Sequence, residues 1–530
     1  MKLTGRGKVF LTICILSVLF SYLIITLNYF PYLGIALSLL VFILFSYKYK
    51  ESKTKETKVY LTFAVLFSIL IFVRSEPFTT FLNLSAAVFF GLLMLIPSPK
   101  KSLGFIDYIY APLRFMLNSI FATSDYYLEF KKREGRYGKI KWIEVVFGIS
   151  IAIILMAIVL PLLSSANPFF QKIVMDIWNI FRLNNLLEII GLETAFIWLL
   201  RVAFFLFFIY IIPKVMSLIN KSGNYSLPIQ HKQENFPLLI PKLILATILI
   251  VFFITQFQFY FATDETLRNL GLSHSQHTRD VFTQLSLVAG IVLLLIYNSR
   301  HESRVGKLIN WILGAQGIFL TLMAYKSDFE YISAWGLTYK RLYGLTFATW
   351  ITGIFVLFFE NFRHKKEAAL FVKKTIIFSG VMLLAVNVLN FDFLIYHFQK
   401  ARTGQGIDYT YLSTLSADSF SYKQQFLKLK EVSQKGDYSL KDYDNENPLI
   451  ILRKIENLQR RYSKIDLRTL SLFEFWQYQQ VKSEDTKEMR ERYRSIQENS
   501  PAQSYFSCWR GRCIERSYVI LVSHFQPRIF

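Results

Sequence analysis

Residues 9–30, "VFLTICILSVLFSYLIITLNYF", decide the fold. As a helix rising about 1.5 Å per residue, an uncharged run of this length crosses about 30 Å of hydrocarbon. Lys2, Arg6 and Lys8 precede it, as they would a secretory signal. The run is nevertheless longer than a signal's apolar core and has no small-x-small cleavage site. It reads as a retained first span entering from the cytoplasmic side. Similar runs recur near 32–48, 59–74, 77–97, 142–163, 194–214, 239–261, 281–298, 308–325, 342–361 and 375–396. The expected fold class is therefore all-α, a polytopic transmembrane helix bundle of about eleven spans over 1–398. A small, mostly helical extracytoplasmic C-terminal soluble domain is expected over 399–530.

Composition agrees with a membrane solvent. The 530 residues are 53% hydrophobic, 17% aromatic and 18% charged, whereas soluble domains carry about 25% charged residues. The net charge of +23 raises a nucleic-acid reading. The basic residues sit mostly at the ends of apolar runs, however, and no run interleaves base-stacking rings with cations as nucleic-acid modules do. Their placement is that of orientation signals and of contacts to anionic lipid. The lipid bilayer is the expected partner, and nucleic acid is not.

Charge also orients the spans. With eleven spans and the N-terminus inside, the inner loops and their span ends hold 28 Lys or Arg, against 8 on the outer side. A further apolar segment, "FIDYIYAPLRFMLNSIFA" (105–122), would reverse this bias if it crossed. Asp107, Pro112 and Arg114 suit it to an interfacial helix instead. The segment 168–183, with Phe170, Ile173, Val174, Ile177, Trp178 and Phe181 at helical spacing, reads as a second interfacial helix. The expected location is a bacterial cytoplasmic (inner) membrane, with the C-terminus outside. Pro448 behind Asn447, and Asp466 before "LRTLSLFEFWQYQQ", look like helix starts in the C-terminal segment.

Unusual polar residues gather on the expected outer side. Arg201 lies about 10 Å below the end of its span at helical rise. Gln256, Asn387 and Asp392 fall in the outer thirds of theirs. Polar groups in lipid are costly and usually face a bundle interior or a wet cavity. Asp392 is the carboxylate available to Arg201 at similar depth, which would make an outer vestibule. The structural alternative is that Arg201 snorkels to the headgroups and the amides staple helices. In the loop 264–280, His274 and His277 share a face if helical, a weak metal signal that a solvated loop also explains. No metal is expected, and no cofactor. There is no P-loop, dinucleotide fingerprint, H-E-x-x-H or G-x-S-x-G. Cys508 and Cys513 enclose four residues, which does not match a redox C-x-x-C; in an oxidising outer compartment a short-loop disulfide is the natural reading, with free thiols the alternative that the topology decides.

Three stretches carry a resemblance: "SANPFF" after a span, "HTRDVFTQL" opening another, and "AWGLTYKRLYG" before a third. In this order and spacing they resemble a family of uncharacterised bacterial multi-pass membrane proteins, a domain of unknown function of the 4153/4173 type. The resemblance covers about 160–420, including "ARTGQGIDYTYLSTLSADS". It implies marked positions at Pro168, Phe170, Arg279, Phe282, Gly336, Leu337, Thr338, Arg341 and Tyr343, and around Asp408 and Leu412. It does not supply His274 and His277, and His277 and Tyr339 depart from its pattern. It implies membrane architecture and no activity.

The turn "SAWGLTYKRLYGL" places Trp335, Tyr339 and Tyr343 in an interfacial belt, with Gly336 closing the turn. Lys340 and Arg341 stand against the positive-inside bias, which asks for another role: lipid phosphate, Glu330 or Asp328, or an anionic ligand. Three functions follow. A transport-like protein requires Arg201, Asp392 and the amides to converge on one outer cavity. A sensing or assembly protein requires a closed bundle that presents 400–530 to an extracytoplasmic protein partner. A membrane-embedded enzyme acting on a lipid-linked or anionic substrate at the outer leaflet requires outer carboxylates to meet around Arg279 or Arg341.

Overall fold

The computed structural model describes residues 5–26, 29–50, 53–96, 197–206, 304–363, 368–399, 407–435 and 447–499, together with Pro112 and isolated positions between 208 and 296. Every regular element among them is helical. In chain order the helices of the apolar part are α1 (Gly5–Ile24), α2 (Tyr32–Tyr49), α3 (Lys55–Val73) and α4 (Pro77–Leu95), then α5 (Ile197–Leu206). α6 (Arg304–Trp335), α7 (Tyr339–Arg363), α8 (Ala368–Leu389) and the short α9 (Phe391–Phe398) follow. Six of these contain stretches long and apolar enough to span a membrane: α2, α3, α4, α6, α7 and α8. The expected spans near 142–163, 239–261 and 281–298 fall wholly or largely outside the described residues, as do both interfacial helices apart from Pro112.

α1 stops at Ile24, short of the expected 30, and two further elements differ from the sequence expectation. The ninth span was expected to stop at 325, but α6 runs for 32 residues to Trp335. Nothing in "KSDFEYISAW" breaks a helix before Gly336, and the buried face continues through Leu320, Met323, Ala324, Ser327 and Asp328. At about 1.5 Å per residue α6 measures about 48 Å, so it outruns the hydrocarbon. The expected span 375–396 is interrupted. α8 ends at Leu389, Asn390 turns left-handed at φ 48°, and its side chain accepts from Phe393 N to start α9. Asn tolerates that conformation better than most residues do.

Local chemistry sets the other ends. Thr54 caps α3 by accepting from Thr57 N at 3.2 Å. Lys50 caps the opposite end of α4, its Nζ donating to the carbonyls of Leu95 at 3.2 Å and Ile96 at 2.8 Å. Cations suit the exposed carbonyls of a helix C-terminus. Packing is aromatic: the rings of Phe63 and Phe90 stack 4.8 Å apart beside Phe67. Gly380 of α8 lies against that stack, where a Cβ would come within 2.8 Å of Phe90 and 2.9 Å of Phe63. Asn83 of α4 and Asn387 of α8 exchange amide hydrogen bonds of 2.9 and 2.8 Å with both side chains buried. Such amide pairs hold helices together where water is absent.

Ion pairs mark one end of the bundle. Lys373 of α8 meets Glu56 of α3 at 2.5 Å and Lys374 of α8 meets Glu360 of α7 at 2.6 Å.

The chain divides into two compact units. The spans unite with Leu415–Phe420 and Lys464–Trp476, while Asp408–Thr414, Ser421–Ser463 and Gln477–Phe530 form the other unit. In the second, helices over Tyr422–Lys435, Asn447–Ser463 and Thr486–Asn499 bury Phe426, Leu429, Leu452 and Ile455. Tyr493 OH donates to Leu429 O at 2.9 Å, and Gln459 Nε2 to Val481 O at 2.7 Å. The helix expected at Pro448 begins at Asn447. Asp466 caps a single turn, Leu467–Thr469, before the helix over Leu472–Val481.

Candidate functional site: a buried ionic lock

At the bundle end away from Lys50, the turn between α3 and α4 meets the segment that follows α9. Pro77 opens α4 and disfavours helix at Glu76, which is extended, and Arg74, just past the end of α3, is extended too. That geometry turns two backbone N–H groups toward one carboxylate. Ser75 N donates to Asp418 Oδ1 at 2.9 Å, Ser75 Oγ to the same oxygen at 2.5 Å, and Glu76 N reaches Oδ2 at 3.4 Å. Arg74 Nη1 stands 3.6 Å from Oδ2. Both charges are removed from solvent, with 6% of the Arg74 side chain and 1% of the Asp418 side chain exposed. Glu76 is spent on α4, accepting from Phe78 N at 3.0 Å and from Thr79 N.

The carrier of Asp418 is a tight loop. Ser416 Oγ accepts from Asp418 N at 3.1 Å, and Asn390 Nδ2 donates to Asp418 O at 2.8 Å. Phe420 ends the loop at φ 56°, an uncommon conformation for a bulky residue. Its ring is held edge-on by Phe473 at 4.7 Å and Trp476 at 4.9 Å. A second carboxylate joins this loop: Asp392 Oδ1 accepts from Ser416 N at 2.8 Å and from the Tyr339 hydroxyl. Tyr343, one turn on, shares a hydrogen bond of 3.1 Å with Thr79.

Burial pushes the Asp392 carboxyl up to about 6. The nearby Asp418 charge adds to that, while the hydrogen bonds from Tyr339 and Ser416 oppose it. Burial also pushes the Asp418 carboxyl up, against the Ser75 hydrogen bonds and the Arg74 charge. The cluster is spent on its own members. It can hold a backbone in place and respond to protons, and it offers no free nucleophile.

Arg341 answers the question posed by the α6/α7 turn. Gly336 sits at φ 76°, the left-handed position that ends many helices. Arg341 Nη1 donates to Trp335 O at 3.0 Å and to Gly336 O. Its guanidinium lies 4.0 Å from the centroid of the Tyr331 ring. It caps α6 from the start of α7. Lys340 is exposed.

Of the residues singled out from sequence, Asp392 belongs to the cluster and Asn387 pairs with Asn83. Arg201 does not meet Asp392. Its Nη2 donates to Ile25 O at 3.4 Å and its guanidinium lies 5.4 Å from Tyr22 and 5.0 Å from Trp198. Gln256, Arg279, His274, His277, Cys508 and Cys513 lie outside the described residues. Among the described residues no group of three or more His, Cys, Asp or Glu is placed to hold a metal ion. Sequence reasoning missed Arg74, Glu76, Asn83 and Asp418. The S-x-D of "LSADSF" and the acid-proline at Glu76–Pro77 are local turn signals, but neither names a distant partner.

No curated protein and no solved structure matches the chain. A family model does. It covers more than half of the chain, from α3 through the loop carrying Asp418, and begins about a hundred residues before the resemblance read from motifs. Matching over residues 61–422, it places this chain in the family described as a domain of unknown function (DUF4153).

Proposed function

We propose that this integral membrane protein is a sensing or assembly protein. Its spans anchor the helical unit of the C-terminal segment at the extracytoplasmic face of a bacterial cytoplasmic membrane. The observation that carries the reading is the Arg74–Asp418 pair with its Ser75 and Glu76 donors. Removing two charges from water is expensive, and the arrangement fixes the segment just before Ser421 to the turn between two spans. A transport-like reading needs Arg201 and Asp392 to line one cavity, and their partners differ.

The turns expected outside, at 74–76, 336–338 and 390, gather at one end of the described helices, which supports their lying on one face; the excess of Lys and Arg in the loops assigned inside supports that face being the outer one.

Photo-crosslinking in the native host tests the assembly reading. A benzoyl-phenylalanine at Lys430 or Glu431 is expected to give a discrete protein adduct, which Asp418→Asn weakens. Phe319, within the apolar stretch of α6, is expected to give none. Absence of an adduct from the C-terminal positions, together with solute uptake by reconstituted vesicles, would overturn this reading in favour of transport.

A further inference from the structure

Three buried polar atoms without a hydrogen-bond partner lie at the α6/α7 turn and on the α6 face two helical turns before it. Asp328 is 6% exposed, and its Oδ2 is buried with no hydrogen-bond partner. Tyr331, three residues on, shares its helix face, and Arg341 lies over the Tyr331 ring. The guanidinium is thereby brought to the α6 face that carries Asp328. Arg341 uses Nη1 on the α6 carbonyls, yet its Nε is buried and unpartnered. Gln399 reaches the same turn from beyond α9. Its Oε1 accepts from Leu337 N at 2.7 Å, its amide lies against Gly336, and its Nε2 is buried and unpartnered.

Each unmade buried hydrogen bond costs about 1–3 kcal/mol, and native proteins carry few of them. One orphan acceptor on the α6 face, about 12 Å along the helix before Gly336, and two orphan donors at the turn imply a missing partner of complementary pattern. That partner must donate to a carboxylate and accept from a guanidinium and an amide. A simple anion would meet Asp328, and a simple cation would meet Arg341. A zwitterion satisfies both.

Depth narrows the choice. Asp328 lies about 33 Å along the helix from Gly306 at 1.5 Å per residue, which is head-group level for about 30 Å of hydrocarbon. We propose that Asp328, Arg341 and Gln399 bind a phosphoethanolamine group, its ammonium on Asp328 and its phosphate on Arg341 Nε and Gln399 Nε2. The chemistry is shared by phosphatidylethanolamine and by free phosphoethanolamine. Phosphatidylcholine offers the same phosphate but has no N–H to donate, and phosphatidylglycerol has no cation. This site does not depend on the assembly reading.

The test uses the full chain, delipidated in detergent, with phosphatidylethanolamine, phosphatidylcholine or phosphatidylglycerol of matched acyl chains. Lipid retention is read by native mass spectrometry and stability by thermal unfolding. Phosphatidylethanolamine is expected to be retained about tenfold over phosphatidylcholine, which is about 1.4 kcal/mol. Asp328→Asn is expected to reduce that preference, and Gln399→Leu to weaken retention of phosphatidylethanolamine and phosphatidylcholine alike. If free O-phosphoethanolamine raises the unfolding temperature as the lipid does, the source is soluble. If only the lipid does so, it is the membrane. Equal retention of all three lipids by the wild type would overturn the proposal. So would an undiminished preference in Asp328→Asn, or undiminished retention of phosphatidylethanolamine in Gln399→Leu, a variant that keeps every charge of the site.

Discussion

Replacing Arg74 by methionine removes the guanidinium 3.6 Å from Asp418 while keeping most of the side-chain volume. At an effective dielectric of about 20, two unit charges at that distance attract by about 5 kcal/mol. Desolvation has already been met in the folded state, so truncating one partner leaves the other buried and uncompensated. Losses of about 3–5 kcal/mol are usual for such truncations. Asp418 retains the Ser75 and Glu76 donors, which puts the expected loss near the lower figure. The assay is a double-mutant cycle of Arg74→Met, Asp418→Asn and the pair, read by heating in detergent and measuring the folded fraction by size exclusion. Arg74→Met is expected to melt several degrees below wild type. The double variant should fall well short of the summed losses, because the second change removes the stranded charge. If Arg74→Met melts with wild type, or if the two losses simply add, the pair is not a lock and the reasoning fails.

Acidity should act through Asp392. Its folded carboxyl titrates at about 6 against 3.8 in a free chain, so the folded state holds the proton more tightly. The associated stabilisation is full below about pH 4 and is lost as pH rises through about 6, about 3 kcal/mol at most. Asp392→Asn should flatten the melting temperature across that window, and an unchanged slope would exclude Asp392 as its source. Arg341→Lys keeps the charge but loses the planar donor that caps α6 and stacks on Tyr331, a change of about 1–2 kcal/mol. Amide exchange at 331–335 is expected to be faster than in wild type, and unchanged exchange would contradict it. Asn390→Ala forfeits the α9 cap and the bond to Asp418 O, with an expected loss of about 1–2 kcal/mol. A wild-type melting curve would show the left-handed turn to be incidental. Paired fusions of alkaline phosphatase and a green fluorescent protein after Phe530 check the orientation. Phosphatase activity without fluorescence is expected, and the reverse pattern would invert the assigned faces.

The sequence by itself determined the solvent and the elements. Uncharged runs of spanning length can be stable only as helices in a bilayer, because every backbone polar group there must be satisfied within its own segment. Hence α2, α3, α4 and α7 begin and end within a few residues of the runs that announced them. Capping is equally local, and Pro448 marked its helix for that reason. What hydropathy could not show was the length of α6, whose last turns are polar yet remain helical as far as Gly336, or the break at Asn390. The site lay further out of reach. Ser75 and Asp418 are separated by 343 positions, and a pairing between two turns leaves no period in either. Asp392 was visible as a buried carboxylate, but its partners were not: only the tertiary structure decided that Tyr339 and Ser416 take it while Arg201 caps onto Ile25. Helices follow from each segment's own contest with its solvent, whereas the lock exists only where folding brings two turns to the same end of the bundle.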